Sequence, residues 1–467
     1  GSKNNIRSGE IYDKDYIGMS NDSSVSYDIN IIKPGEKKQI DICILLEEFP
    51  KDMAHLETEI ERVRKIDFNS EYNKTKNYWR KYLKAHDGLN LKEPKNSYEE
   101  KLADIYYRSI LLFPLLTNMQ TGGIIASPEI DEDFTKCGRY AYTWPRDAVF
   151  IARAMDILKM TDEVEKFYKV FCKKTQSKDG RWEQRFFSDG NLAPCWGYQV
   201  DETASVIFGV NSHYEYTKDE KFLKAVLPMC EKAIDFLKRY VKDIFEGTNK
   251  YHVSYDLWEM HEGINTYSLA SIYSAFSSML NIYKVLGKNI SNFENNRLKD
   301  EKIQKLKLEL ESLQVEIKKY INDNLYDEEK KSYVRNIEDR RMDISLIGTV
   351  VPFNMFTPKE KKVQNTIERI NLSLRTFTGG FQRFEGDHYM NGNPWPIANM
   401  WITLYYLEKG EKTKAKETFD FVIKTAGMHS LLGEQVDNNT LKSCWALGLG
   451  WSHAMFILVL EKMLKNK

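Results

Sequence analysis

Apolar residues recur at three- and four-residue spacing along almost the whole chain from Ser97 onward, which is the period of amphipathic helices. This pattern divides into twelve helical segments with almost no strand signal between them. The predicted helices begin near residues 97, 145, 162, 200, 219, 265, 298, 341, 358, 396, 411 and 441. Twelve consecutive helices can stack as a solenoid or close into a double ring, and no repeat of fixed period favours the solenoid.

Clusters of polar and aromatic residues precede every second one of these helices. The clusters are YAYTWPRDA (140–148), CWGYQVDE (195–202), DLWEMHEG (256–263), RRMD (340–343), FQRFEGDHYMNGNPWP (381–396) and LLGEQVD (431–437). If alternate helices form an inner ring that runs in one direction, all the clusters lie on one face of that ring. The sequence therefore predicts a single active-site crater.

The stretch SYDLWEMHEG, residues 254–263, places several ionisable groups around an indole ring. One interpretation is a charged helix start without chemical meaning. The other is a carboxylic acid, Glu259, that is kept protonated beside Trp258 until a substrate needs its proton. Asp256 and Glu262 are then capping or orienting groups rather than catalysts.

The crater is predicted to hold acids, arginines and tryptophans together, which is typical of a carbohydrate site. Carboxylates and arginines hydrogen-bond vicinal hydroxyls, and indoles cover the apolar face of a pyranose. Two carboxylates are also the minimum for glycoside hydrolysis. Each of these residues alone is more simply read as structural, so the hypothesis depends on their joint placement before alternate helices.

Charge and composition exclude several other functions. Lys+Arg and Asp+Glu both number 68, so no excess of positive charge is available for nucleic acid. The longest apolar runs are too short to cross a membrane. His261 and His388 lack the close spacing of a zinc motif, no phosphate-binding glycine loop is present, and we expect neither metal nor cofactor. Acids in 131–134 and 385–389 could hold a structural calcium ion, although the twelve-residue calcium-loop pattern is absent.

The six cysteines are scattered singly, which indicates free thiols and a reducing, cytoplasmic compartment. The initial Gly1 and Ser2 resemble a cloning scar, so a secreted protein whose signal peptide was removed remains open.

The first hundred residues differ from the rest of the chain. Residues 24–32 and 38–46 alternate apolar and polar around a Pro-Gly turn, which predicts a β-hairpin. We therefore expect a partial β segment over 1–50, a helical linker over 51–96 and the helical catalytic domain over 97–467.

Four of the motifs together resemble glycoside hydrolase family 15, the glucoamylase family, in its bacterial type. They are YAYTWPRDA, YDLWE, RFEGDHYMNGNPWP and GEQVD followed by WSHA, and they occur in the order of that family. The resemblance implies an (α/α)6 barrel preceded by the end of a β-sandwich, and an inverting exo-hydrolase that acts on α-gluco-oligosaccharides.

The resemblance also implies roles for individual residues. Glu259 would be the general acid and Glu434 the general base. Arg146 and Asp147 would bind the 4- and 6-hydroxyls of the terminal glucose, and Arg383 the 2- and 3-hydroxyls. The further substrate-binding residues would be Tyr140, Trp144, Trp258 and Trp395 around that sugar, the carbonyl of Leu257, and Trp196, Gln199 and Asp201 towards the leaving group.

Two positions differ from many glucoamylases: Met260 stands where a second glutamate follows the acid, and Phe384 where fungal members have tyrosine. With Met260 we expect weaker discrimination between α-1,4 and α-1,6 linkages. Two alternatives stay open, namely a trehalase-type member of the family and a catalytically silent regulatory or glucan-binding protein on the same barrel. The sequence does not indicate an oligomeric state.

Overall fold

A computed structural model describes residue 8 and residues 27–45, 52–130, 139–248, 254–287 and 297–466. The chain divides into two compact units, Gly1–Trp79 and Arg80–Lys467. The domain boundaries that the sequence predicts at residues 50 and 96 stay a prediction.

The described residues are mainly helical. The helices are α1 Met53–Arg64, α2 Phe68–Ala85, α3 Ser97–Leu116, α4 Pro145–Ile157, α5 Thr161–Lys166, α6 Val200–Thr217, α7 Glu220–Glu246, α8 Thr266–Gly287, α9 Arg297–Asn324, α10 Lys361–Leu374, α11 Pro396–Lys409, α12 Lys412–Thr425 and α13 Gly450–Lys465. Helix α5 continues through a π-helical turn, Phe167–Cys172, and Lys173–Thr175. Short 3-10 helices cover Ile344–Thr349, Tyr389–Asn391 and Met428–Ser430.

Strands in the described residues form only two-residue antiparallel pairs. They are β1 Ser254–Tyr255 with β2 Glu262–Gly263, β3 Tyr326–Asp327 with β4 Ser332–Tyr333, and β5 Gln435–Val436 with β6 Ser443–Cys444. The first and third pairs each enclose or adjoin a predicted catalytic glutamate.

Six helices pack side by side in an order that closes on itself. Helix α4 contacts α6, α6 contacts α8, and α8 contacts the 3-10 helix Ile344–Thr349, which contacts α11; α11 then contacts α13, and α13 returns to α4. The outer helices α3, α5, α7, α9, α10 and α12 each pack against one or two of these inner elements. This arrangement confirms the double ring that the alternate clusters predict.

The inner helices are apolar around most of their circumference. Every residue of α4 except Arg153 is buried, and only Lys409 and Glu408 of α11 are not. Both α4 and α11 begin with a proline after a tryptophan; proline suits the first helical position because its missing N–H would have no partner there. The outer helix α7, in contrast, buries one face only.

Two predicted helices differ from expectation. The segment predicted from residue 341 forms the short 3-10 helix Ile344–Thr349. It cannot continue as a helix because Pro352 lacks an N–H and disfavours helical backbone at the residue before it. The segment predicted from residue 441 becomes helical only at Gly450, since Ser443–Cys444 pairs with Gln435–Val436 and both Trp445 and Ala446 have positive φ.

The N-terminal hairpin is only partly present. Its turn forms at Pro34-Gly35, where Glu36 N–H donates to Lys33 O at 2.9 Å. Residues 27–45 contain no paired strand, however, and residues 27–44 are exposed. An isolated hairpin is marginal in water without a sheet or helix to cover it.

Two further findings concern the described residues alone. None of their helices combines the length and apolarity needed to span a bilayer. The cysteines among them, Cys43, Cys172, Cys195, Cys230 and Cys444, are free thiols as predicted; Cys137 lies outside the described residues.

Candidate active site

A cavity of about 560 Å³ opens where the inner helices α4, α11 and α13 begin. Aromatic and charged side chains form most of its wall. It is lined by Ala126, Arg139, Tyr140, Tyr142, Trp144, Arg146, Asp147, Arg185, Pro194, Trp196, Leu257, Trp258, Glu259, Met260, Arg383, Tyr389, Trp395, Ile397, Glu434, Leu449 and Trp451. The clusters before α4, α6, α8, α11 and α13 therefore meet in one crater.

The cavity brings together both predicted catalytic residues and nine of the eleven predicted substrate-binding residues. Gln199 and Asp201 are the exceptions, since they lie behind the wall and are fully buried. Gln199 donates to Asp256 O at 2.7 Å, and Asp201 is ion-paired to Arg146 at 3.1 Å. Neither side chain lines the cavity, although Gln199 Oε1 and Asp201 Oδ1 each lack a hydrogen-bond partner among the described residues. Their place on the leaving-group side stays a prediction.

Glu259 lies in a tight turn between β1 and β2. Its backbone is left-handed, with φ of 61°, and its N–H donates to Asp256 O at 3.0 Å. The Asp256 side chain accepts from Met260 N–H at 2.8 Å and His261 N–H at 3.3 Å, and it is ion-paired to Arg335. Asp256 therefore orients the turn that presents Glu259, as the sequence predicts.

The surroundings of Glu259 favour its protonated form. Burial raises the pKa of Glu259 from 4.5 to about 7, although the charge of Arg146 and a hydrogen bond from Trp144 lower it. That bond runs from Trp144 Nε1 to Glu259 Oε1 at 2.6 Å. The side chain can therefore carry a proton at near-neutral pH.

Glu434 has a raised pKa, although three neighbouring groups favour its carboxylate form. Burial raises the pKa of Glu434, but hydrogen bonds from Tyr140 and Gln435 and the charge of Arg383 lower it. Tyr140 Oη donates to Glu434 Oε1, and Gln435 Nε2 donates to Oε2 at 2.9 Å. The ring of Tyr140 lies 6.2 Å from that of Trp144, so one aromatic pair contacts both carboxyl groups.

Two residues of α13 hold the backbone that leads to Glu434. Ser452 Oγ donates to Gly433 O at 2.8 Å, and His453 Nε2 accepts from Leu432 N–H at 2.9 Å. The other nitrogen of His453 lies 2.8 Å from Ser109 Oγ on α3. A side chain at Gly433 would meet Cys444 O at 2.7 Å, so the loop has no room for a larger residue there.

The His453 tautomer follows from these contacts. Ser109 Oγ donates to Ile105 O at 2.7 Å, so it accepts from His453 Nδ1–H. The Nε2 atom is then the acceptor, and the ring must be neutral. Burial lowers the pKa of His453 to about 3, which agrees with this assignment.

The floor of the cavity carries a cation surrounded by acids. Arg146 is ion-paired to Asp147, Asp201 and Glu202 at 3.1, 3.1 and 3.2 Å, and its guanidinium lies 5.5 Å from the ring of Trp451. The charges of these acids raise the pKa of Arg146 against the effect of burial. Arg146 and Asp147 line the cavity as a fixed, charged pair that can hydrogen-bond hydroxyls.

Arg383 occupies another wall. Its Nε and Nη2 atoms donate to the two oxygens of Asp387 at 2.8 and 2.9 Å, and its guanidinium lies 4.8 Å from Trp395. The Leu257 carbonyl accepts no hydrogen bond from the described residues. Both residues line the cavity, and their contacts with sugar hydroxyls stay a prediction.

Several cavity residues were not predicted from the sequence. Trp451 and Tyr389 belong to motifs quoted above, so their motif membership could have identified them. Tyr142 lies within the motif YAYTWPRDA and could have been found in the same way, whereas Arg185 belongs to none of the clusters. No group of three or more acids, histidines or cysteines in the described residues is arranged to hold a metal ion.

Comparison with known proteins agrees with this geometry. The family model of glycosyl hydrolases family 15 matches residues 100–461. An uncharacterized glycosyl hydrolase of Methanocaldococcus jannaschii is 27% identical over 462 residues, which cover 95% of this chain and 69% of that protein. Trehalase 2 of Sulfolobus acidocaldarius is 24% identical over 375 residues, or 72% of this chain and 60% of the relative.

Among solved structures, a bacterial glucoamylase complexed with acarbose superposes with a TM-score of 0.68 at 19% identity. The match covers 89% of this chain and 62% of that one. This likeness is one of fold, and it agrees with the closed packing order of the six inner elements.

Proposed function

Because the chain belongs to glycosyl hydrolases family 15 and is a glycoside hydrolase, we propose that it is an inverting, exo-acting α-glucosidase. It releases β-glucose from the non-reducing ends of α-gluco-oligosaccharides. The observation that carries this proposal is a pair of glutamates that line one cavity: the partly buried Glu259 has a pKa of about 7, and the buried Glu434 accepts two hydrogen bonds.

In the proposed reaction Glu259 is the general acid and Glu434 the general base. Glu259 gives its proton to the glycosidic oxygen as the bond to the anomeric carbon breaks. Glu434 takes a proton from a water whose oxygen bonds to that carbon from the opposite face. The cycle ends with Glu259 ionised and Glu434 protonated, and exchange with solvent restores both.

The position of the two glutamates supports inversion. Glu259 precedes α8 and Glu434 precedes α13, and these helices are three places apart in the six-membered inner ring. Opposite placement favours the carboxyl separation of about 6.5–9.5 Å that admits a water, over the roughly 5 Å of a double-displacement pair.

The cavity floor supports exo action. This floor consists of the buried lining residues Arg146, Asp147 and Trp451, and buried acids hold Arg146 in place. A terminal glucose could bind its 4- and 6-hydroxyls to Arg146 and Asp147 and its 2- and 3-hydroxyls to Arg383. A chain that continued beyond the 4-hydroxyl would collide with this floor.

A trehalase is the second candidate, because the trehalase of Sulfolobus acidocaldarius is among the relatives. The same acid and base would cleave trehalose. A silent glucan-binding protein is the third reading, but it leaves the raised pKa of Glu259 without a purpose. Glucose release from maltotriose, isomaltose and trehalose separates the three.

Proton NMR in the first minutes of hydrolysis tests the mechanism. We expect β-glucose to appear first from an α-glucoside. Glu259→Gln should slow glucosides with poor leaving groups far more than α-glucosyl fluoride, which needs little acid assistance, whereas Glu434→Gln should slow both. If α-glucose precedes β-glucose, Glu434 is not the base, and cleavage of a glucan blocked at its non-reducing end would contradict exo action.

A further inference from the structure

Arg185 is a buried cation on the cavity wall and forms no ion pair with any carboxylate of the described residues. It is 8% exposed, and in the described part of the chain no carboxylate lies within ion-pair distance of it. Its Nε donates to Pro194 O at 2.6 Å, while Nη1 and Nη2 donate to no described protein acceptor. Arg146 and Arg383, which share the cavity, both have buried carboxylate partners.

The guanidinium of Arg185 is held in place by three aromatic rings. Its Cζ lies 4.2 Å from the ring of Trp196, 4.7 Å from that of Tyr142 and 5.3 Å from that of Trp144. The neighbouring Phe186 exchanges backbone hydrogen bonds of 2.7 and 2.9 Å with Thr143. The orientation of this cation is therefore fixed before any ligand binds, which lowers the entropic cost of binding.

Arg185 lies on the acid's side of the cavity. Trp144, which it contacts, donates to Glu259, and the charge of Arg185 lowers the pKa of Glu259. Trp196 and Met260 are about half exposed and mark the open end on this side. The acid protonates the oxygen that joins glucose to the leaving group. The leaving group should therefore lie next to Arg185.

The electrostatics of this side favour an anion. Burying a guanidinium without a counter-charge is costly, and burial lowers the pKa of Arg185. Met260 brings no negative charge, Glu259 is neutral below about pH 7, and Arg139 also lines the cavity. The two NH2 groups of this guanidinium, which have no described protein acceptor, match the oxygens of a carboxylate or phosphate.

We propose that Arg185 binds an anionic group on the leaving group, so that the preferred substrates are α-glucosides whose aglycone carries a carboxylate or a phosphate. This inference rests on the proposed function and adds a substrate class to it.

Two matched substrate pairs test the inference. The carboxylate arm compares 2-O-α-glucosylglycerate with 2-O-α-glucosylglycerol, and the phosphate arm compares trehalose 6-phosphate with trehalose. In at least one arm we expect kcat/KM of the anionic member to exceed that of the neutral one by about tenfold or more. The arm that responds identifies the anion, and added salt should reduce the preference.

Variants assign the preference to Arg185. Arg185→Gln keeps a planar donor that can reach Pro194 O but removes the charge, so it should bring the ratio of kcat/KM between anionic and neutral substrates close to onefold. Arg185→Lys should keep part of the preference for anionic substrates, because it keeps the positive charge. Arg181→Gln is the matched control, because Arg181 also lies on an aromatic ring, 5.1 Å from Tyr198, but does not line the cavity. Thermal unfolding checks that each variant is folded.

The outcomes separate the two proposals. Neutral substrates that are hydrolysed as well as or better than the anionic ones in both arms overturn the inference and leave the proposed function standing. A preference that survives in Arg185→Gln, or an equal loss on neutral and anionic substrates, also overturns it. If the protein hydrolyses none of the four compounds and none of the α-glucans, the proposed function itself is wrong.

Discussion

Glu259 is placed where opposite influences act on one carboxyl group. Burial favours the acid form, while Arg146, Trp144 and Arg185 favour the carboxylate, and the pKa of about 7 is the balance. The alkaline limb of kcat/KM should therefore lie near pH 7, because above it the proton for the leaving group is lost.

Trp144→Phe should move that limb to higher pH. The indole N–H stabilises the ionised form of Glu259, so its loss raises the pKa, by roughly one unit if the bond is a typical one to a charged group. The measurement is the pH profile of kcat/KM, with Tyr142→Phe as a control because Tyr142 lines the same cavity without a bond to Glu259. A limb that stays in place or moves down would show that the bond does not set the pKa.

Glu259→Gln should stabilise the fold at alkaline pH. The pKa of Glu259 is higher in the folded chain than in the unfolded chain, so the folded state retains a proton that the unfolded state releases between about pH 4.5 and 7. Stability consequently falls across that window, and the variant should avoid a loss of about 3 kcal/mol at pH 8 but not at pH 4. Thermal unfolding at both values checks this, with the exposed Glu311→Gln on α9 as control; an equal effect at both pH values would contradict it.

Met260 contributes an exposed thioether where a second acid could contact the leaving sugar. Met260→Glu introduces a charged acceptor for hydroxyls, so we expect the ratio of maltose to isomaltose hydrolysis to change. Rates on the two disaccharides are measured, with Met260→Leu as a control of similar volume. An unchanged ratio would place linkage choice elsewhere in the cavity.

At the scale of elements, the loop before α13 depends on that helix for its position. His453→Phe removes the acceptor of Leu432 N–H and leaves a buried donor unpaired, which costs about 1–3 kcal/mol. We expect kcat to fall with KM changed less, because Glu434 is displaced rather than removed. His453→Gln offers a new acceptor and should recover part of kcat, whereas a phenylalanine variant with full kcat would refute a positioning role. Both variants are compared by steady-state kinetics and thermal unfolding.

Helical period predicts most elements because the inner and outer helices both bury apolar stripes. The helical period fails as a predictor at Ser443–Cys444, where strand pairing replaces the helix. It also fails before Pro352, where the predicted helix is reduced to a short 3-10 helix. The motifs predict most of the residues that line the cavity. They do not reveal Arg185, since its segment reaches the site only through backbone pairing between Phe186 and Thr143, which no local pattern signals.

At the scale of the molecule, the inner ring has no free edge. Helix α13 packs between α4 and α11, and Phe456 within it is fully buried and stacked on Phe419 at 5.5 Å. A weak point in α13 should therefore weaken the whole ring rather than release one part of it.

Phe456→Ala should cost about 3–5 kcal/mol and leave a single unfolding transition of the ring. Circular dichroism and limited proteolysis at increasing temperature should report the same midpoint. Phe377→Ala removes the same atoms from a side chain that is 84% exposed, so the unfolding midpoint should change little. Early cleavage of residues 396–466 while the rest resists would show that the ring unfolds in parts.

The hydrogen bonds that set the two glutamates join residues very far apart in the chain. Trp144 and Glu259 are 115 positions apart, and Tyr140 and Glu434 are 294 apart. At about 5–20 residues per second on a ribosome, Tyr140 waits roughly 15–60 seconds for Glu434 to be synthesised. A nascent chain thus carries Glu259 long before Glu434, and the proposed acid and base can come together only after Glu434 has been synthesised.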